Sequence, residues 1–263
     1  MKNTIIRILL SAIPLLVLFA GCNKEPEWVA IFNGENLDGW TVKVSGYPAG
    51  ENYKNTFVVE DGLLRVKYDE YETFSTEYAH IFYNQKLSHY RLRLEYKFNG
   101  EKVPGSKDFT LLNSGVMFHS QSAESMPDAQ EFPVSIEAQF LACDDMATCD
   151  RTTMNIASPG THIVRDDGSI HEPHMTWTEA PARHKDEWVQ VEIEVHGDKL
   201  VLHKIDGVEV LRYRGGILGG NRYPKDYPIP EGTVLKDGYI ALQGESHPVD
   251  FRNIELMILP SGD

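Results

Sequence analysis

Residues 132–142 read FPVSIEAQFLA and hold the most chemically suggestive spacing in the chain. With a period of two, Val134, Ile136, Ala138 and Phe140 face one way, and Ser135, Glu137 and Gln139 face the other. A carboxylate and a carboxamide then stand about 7 Å apart along one face of a strand. That spacing suits gripping a polyol or a cation, and the carboxylate can serve as a general base. The competing reading is an outward sheet face kept in water. Further candidates lie nearby. His119 ends the run Gly115-Val116-Met117-Phe118-His119 and could act as base, ligand or donor. Arg151 could place a guanidinium against an anionic intermediate, or simply pair with Asp144, Asp145 or Asp150. His80 and Tyr83 come from a neighbouring strand, and Trp177 could stack on a pyranose ring or pack its loop on the sheet. His162, His171, His174 and His184 share one long connection. His171-Glu172-Pro173-His174 looks like a metal cluster, but Pro173 bars helical presentation and no zincin spacing exists.

The elements that must position these groups are strands. Tyr90 to Phe98 (YRLRLEYKF) alternates, with Leu92, Leu94, Tyr96 and Phe98 opposite Arg91, Arg93, Glu95 and Lys97. The spacing predicts a hairpin across Asp61-Gly62 and another across Asp206-Gly207, because Asp-Gly suits a tight two-residue turn. Residues 28–32 and 239–243 read as strands, as do 188–196 and 249–258. No helical period runs for three turns. Many short strands with Gly, Asp and Asn turns predict an antiparallel sandwich or barrel. Long connections at 46–55, 120–131, 158–185 and 215–236 could rim one sheet and make it a cleft.

Residues 1–22 stand apart from the fold. Lys2 and Arg7 precede an apolar run from Ile8 to Ala20, too short for a comfortable membrane span. Leu18-Phe19-Ala20-Gly21-Cys22 resembles a bacterial lipobox, which implies lipidation of Cys22; an ordinary secretory signal is the alternative. Residues 23–27 (NKEPE) then form a tether, and 28–260 a single domain. The expected location is outside the cytoplasm, lipid-anchored at a periplasmic or cell-surface membrane face. The net charge of −14 becomes about −16 without the leader. So acidic a domain repels nucleic acid phosphates, which excludes that partner class. Cys143 and Cys149 could form a disulfide once exported, or remain free.

FNGENLDGW at 32–40, NSGVMFHS at 113–120, SIEAQFL at 135–141 and GYIALQGESHPVDFRNIEL at 238–256 together resemble the 3-keto-disaccharide hydrolase domain family. The resemblance spans nearly the whole mature chain, in the family's order. It implies a concanavalin-like jelly-roll sandwich of two antiparallel sheets, with a concave face that holds sugar. It also implies a substrate that is a glycoside or oligosaccharide already oxidised to a ketone at C3. Such a ketone acidifies the proton on C2. A base removes it, the C1 substituent leaves, and water adds back. This route needs a base, an electrophile near the ketone oxygen, and an acid for the leaving group. A divalent cation could serve the enolate as Lewis acid, although the sequence fixes no metal site.

The resemblance places Glu137 at the family's acidic strand position and His119 where Arg often stands. Glu137 and His119 are therefore expected to be catalytic, with Gln139, Arg151, His80, Trp177, Glu245 and His247 binding substrate. Glu245-Ser246-His247 departs from the family's frequent D-H-G-N ahead of Pro-Val, so His247 could replace the family's histidine from an adjacent place. Laminarinase-like jelly rolls carry E-x-D-x-E where this chain has Glu137-Ala138-Gln139-Phe140-Leu141. That loss of two acids argues against direct retaining hydrolysis. Two rival functions stand beside the first. One is a carbohydrate-binding lipoprotein without catalysis. The other is an ordinary glycosidase, which would need Glu245 or Asp144 as a second carboxylate.

Overall fold

The computed structural model describes residues 26–261. Cys22 and most of the tether lie outside them. Two antiparallel sheets pack face to face. One runs in the order Met175–Thr176, Asn155–Ala157, Ile136–Leu141, Asn113–Ser120, Gly238–Gly244, Ala79–Leu87, Trp40–Val44. The other runs Val208–Tyr213, Leu200–Ile205, Val189–His196, His89–Phe98, Val249–Ile258, Leu63–Val66, Phe57–Glu60, with Val29–Ala30 paired to Val249–Ile258. This is the concanavalin-like jelly roll, all β. Both Asp-Gly turns occur as expected, with positive φ at Asp61 (54°) and Gly62 (75°), and at Asp206 (49°) and Gly207 (79°). That pair of left-handed residues matches the twist of the flanking strands. The connections at 158–185 and 215–236 are more ordered than their Pro and Gly content suggests. They contribute Ile170–His171, Thr161–Val164 and Gly215–Leu218, which form a third, three-stranded sheet.

Alternation sorts the first sheet into two chemically different faces. Val42, Ile81, Leu242, Val116, Ala138 and Phe140 enter the core between the sheets. They meet Leu92, Leu94, Tyr96 and Phe98 from the alternating strand of the other sheet. Phe140 stacks on Tyr96 with centroids 4.2 Å apart, and the Tyr96 hydroxyl lies 2.7 Å from Thr153 Oγ1. Phe140→Ala is expected to cost about 3–5 kcal/mol, because it opens a cavity against a fixed neighbour; denaturant unfolding of the purified domain checks this.

The opposite face of the first sheet is only partly open. Phe82, Met117 and Ala241 are covered by Ala123 and Met126 from the connection after Ser120. Lys43 ties that cover down. Its fully buried ammonium donates to the carbonyls of Tyr47 (2.7 Å), Val44 (3.2 Å) and Asp128 (3.2 Å). The rest of the face forms the floor of a cleft. The polar side of Ile136–Leu141 is therefore buried rather than facing open water, with Glu137 only 4% exposed.

Candidate active site

The cleft has a volume of about 840 Å³. Its floor comes from the central strands, and its walls come from 108–111, 150–151, 174–177 and 221–222. Gly115 pairs with Gln139, and Leu242 pairs with Val116, so Gln243 lies beside Gly115 on the other side. Gly115 leaves a hollow between two glutamine-bearing strands, and the Glu137 carboxylate fills it. A Cβ at Gly115 would lie 2.6 Å from Glu137 Oε1 and 2.9 Å from the Ala138 carbonyl. The backbone φ of Gly115 is not left-handed, so close approach alone requires glycine here.

The floor carries unpaired oxygen atoms beneath its surface. Glu137 Oε1, Gln139 Oε1, Gln243 Oε1 and Asn113 Oδ1 are all buried without a hydrogen-bond partner. Leaving such a group unpaired costs about 1–3 kcal/mol, so this polar floor carries a cost in stability. Burial pushes the Glu137 carboxyl up to about 8, opposed by the Arg222 guanidinium. Burial and then the Glu137 charge push Glu245 well above the ordinary carboxylate range, opposed by Arg222 and Arg151. The two carboxyls feel one another, so their protons leave in steps that belong to the pair.

The cations sit on the walls. Arg222 Nη1 lies 3.0 Å from Glu131 Oε2, and its guanidinium stands 4.3 Å from the Phe132 ring centre. Arg151 Nη1 donates to the carbonyls of Leu111 (2.6 Å) and Ala142 (3.2 Å), rather than pairing with Asp144, which takes Lys185 at 2.7 Å. Trp177 (60% exposed) and Phe109 (46% exposed) line the cleft as exposed aromatic surfaces, with the Lys107 ammonium 5.7 Å from the Phe109 ring centre.

Glu137, Gln139, Arg151, Trp177 and Glu245 are thus brought together in one cleft. Three expected site residues are not among its lining. His119 turns the other way. Its φ of 47° breaks the strand alternation, and Nε2 donates to the Gly197 carbonyl (3.1 Å) in a turn of the opposite sheet. His80 lies on the correct face but is sealed off between Phe82 and Phe132, with burial pushing its pKa down to about 3. His247 packs edge-on to Phe98, and burial pushes it down to about 4. Neither His80 nor His247 has a bonded ring nitrogen, and neither reaches the cleft as placed. Of the four loop histidines only His174 lines the cleft, while His171 contacts Arg165. Among the described residues no group of three or more histidine, cysteine, aspartate or glutamate side chains is placed to hold a metal ion. Cys143 and Cys149 are joined by a disulfide, with Cα atoms 5.8 Å apart, beside the strand that carries Glu137.

The residues that sequence reasoning passed over are Arg222, Gln243, Asn113, Phe109 and the hollow at Gly115. Asn113, Gly115 and Gln243 stand inside recognisable blocks, and register with Gln139 would have singled them out. Nothing local marks Arg222 or Phe109, which reach the cleft from loops.

A jelly roll with a sugar-sized cleft, floored by carboxyl and carboxamide side chains, is the class that this fold and site define. Residues 27–257 match the family described as the 3-keto-alpha-glucoside-1,2-lyase-like domain, and the chain belongs to that family. No curated protein matches it in sequence. Among solved structures, two candidate glycosyl hydrolases from Parabacteroides distasonis ATCC 8503 share the fold. One is 19% identical, with 89% of this chain and 100% of the other covered and a TM-score of 0.52. The second is 18% identical, with coverage of 89% and 94% and a TM-score of 0.53. Membership of this family makes the chain a carbohydrate-active protein.

Proposed function

We propose that the protein cleaves glycosides already oxidised to a ketone at C3, with Glu137 as general base. The observation that carries this reading is the Glu137 carboxyl itself, which lines a sugar-sized cleft and has a pKa raised to about 8 by burial. A base of that strength is matched to an activated carbon acid near neutral pH. Glu137 takes the C2 proton, and the electron pair forms the enolate across C2 and C3. Arg222, on the wall that already acts on the Glu137 charge, would face the developing oxyanion. The enolate re-forms the ketone as the C1–O bond breaks, leaving a C1–C2 double bond. Glu245, which burial and the Glu137 charge hold protonated, gives its proton to the departing oxygen. Water then adds at C1 and a proton returns to C2, so the net result is hydrolysis.

One observation favours a second reading. Glu245 shares the cleft with Glu137, which supplies the second carboxylate that an ordinary glycosidase needs. Against it, the strand that carries Glu137 has Gln139 and Leu141 where laminarinase-like jelly rolls carry two further acids. Incubation with a 3-keto-glucoside and with its unoxidised parent separates the two. Release from the keto sugar alone is expected. Equal cleavage of the parent supports the ordinary glycosidase, and binding of either without cleavage supports a lectin. Lipid anchoring through Cys22 belongs to this proposal too, and mass spectrometry of the membrane-extracted protein tests it.

The pH dependence has a defined sign. Because the base form of Glu137 accumulates above its pKa, kcat/KM is expected to rise with pH up to about 8, and to fall again where Glu245 loses the proton it must donate. Arg222→Met removes the charge that holds Glu137 down, so the rising limb should move to higher pH. A pH–rate profile of both proteins checks this.

A further inference from the structure

The cleft wall at 150–151 belongs to a segment that little else holds. Among the described residues, no backbone hydrogen bond joins 144–151 to the rest of the chain; the Thr148 and Ala147 amides both turn inward, to the Asp145 carbonyl and to Asp145 Oδ1. What ties the segment down is the Cys143–Cys149 disulfide, the Asp144–Lys185 ion pair and the Arg151 guanidinium. We infer that the Cys143–Cys149 disulfide is the positioning element of Arg151, and that through this one side chain it holds two walls of the cleft together and sets substrate affinity. The inference rests on the proposed keto-sugar substrate only for its kinetic test.

The disulfide has a firm end and a loose end. Cys143 is buried, its amide donates to the Arg183 carbonyl at 2.9 Å, and its carbonyl accepts from the Lys185 amide at 3.0 Å. Cys149 lies six residues further along, between exposed Thr148 and Asp150. The bond therefore fixes Cys149 against the sheet. Two residues later, Arg151 Nη1 reaches back to the Ala142 carbonyl (3.2 Å), beside the firm end, and across to the Leu111 carbonyl (2.6 Å) of the 108–111 wall. Such a double contact must offset the entropy of ordering a long side chain, which is small only while its backbone is already in place. The Asp144–Lys185 pair cannot replace the bond. Its aspartate is exposed and adjoins Cys143, so it restrains the end that is already fixed. Glu137 stands apart from this device, because its strand is paired on both sides with Asn113–Ser120 and Asn155–Ala157. Opening the disulfide thus acts on binding rather than on proton transfer.

The test opens the bond in the folded protein. Tris(2-carboxyethyl)phosphine gives up two electrons and becomes its phosphine oxide, with oxygen from water; the two sulfurs take the electrons and two protons and become thiols. The proteins are wild type, Cys143→Ser/Cys149→Ser and Arg151→Met, each with and without the phosphine and each followed by thermal melting. On a 3-keto-glucoside, reduction of wild type is expected to raise KM about tenfold while kcat changes less than about threefold. The double serine variant should match reduced wild type and ignore the phosphine. Reduction of Arg151→Met should add nothing, because bond and side chain act as one. Trypsin gives a readout that needs no sugar: cutting after Arg151, located by mass spectrometry, should be about tenfold faster after reduction, with other sites unchanged. Wild-type KM with unchanged cutting at Arg151 would overturn the inference. So would an equal loss in Arg151→Met, a fall in kcat alone, faster cutting at every site, or unfolding of the reduced domain at room temperature. If no keto-glycoside is cleaved, the proposed function fails and the trypsin result alone decides the inference.

Discussion

Glu137→Gln is expected to lower kcat/KM on a 3-keto-glycoside by about a hundred- to ten-thousandfold, the range that a positioned general base contributes. The amide keeps the shape of the side chain over Gly115 and cannot take a proton. The same substitution is expected to stabilise the fold at alkaline pH. Glu137 carries a folded pKa of about 8 against an ordinary value of 4.5. A raised carboxyl favours folding while it stays protonated, and that favour is lost as pH climbs from the unfolded value through the folded one. The variant has no such loss, so its advantage over wild type should grow between about pH 4.5 and 8. Denaturant unfolding at several pH values, run beside the kinetics, would show activity and stability moving in opposite directions. Loss of both together would point to damage to the sheet instead.

Gly115→Ala should be nearly as harmful, for a steric reason. The new methyl would press on Glu137 Oε1 at 2.6 Å and on the Ala138 carbonyl at 2.9 Å. The carboxylate can rotate away, but the carbonyl belongs to the paired strand and cannot. Overpacking of this kind costs about 1–3 kcal/mol, and the rotated carboxylate leaves the proton it should abstract. A loss of about a hundredfold or more in kcat/KM is expected. Combined with Glu137→Gln, the glycine substitution should add little further loss, because both act through one carboxylate. A double-mutant cycle checks this, and full additivity would show that Gly115 acts elsewhere.

What could be read from the sequence follows from how local each cause is. The Asp61-Gly62 and Asp206-Gly207 hairpins are set by two residues each, and they appear as expected. The alternation of Tyr90 to Phe98 needs only its own strand, and its inward residues are the buried ones. Glu137 and Gln139 share a face for the same reason. His119 shows the limit. Strict alternation from Gly115 and Met117 assigns it to the cleft face, but a left-handed backbone at 119 sends the ring to the opposite sheet. His80 obeys alternation and is still lost to the site, because Phe132 and its connection lie over it. That cover depends on contacts distant in sequence, such as Lys43 with Asp128. Arg222 lies in a loop far along the chain from Glu137, and only tertiary packing against Phe132 and Glu131 brings it to the cleft. Family resemblance supplied the substrate class, which no residue pattern alone would have suggested.

The central claim is that Glu137 removes the proton on C2, and the fate of that hydrogen tests it most directly. A 3-keto-glucoside is cleaved in heavy water, and the released keto sugar is examined by mass spectrometry and proton NMR, against an enzyme-free control for spontaneous exchange. Elimination and hydration predict deuterium at C2 of the product, at a rate that Glu137→Gln abolishes. Rapid cleavage that keeps the original protium at C2 would contradict the account and leave direct displacement at C1 as the mechanism.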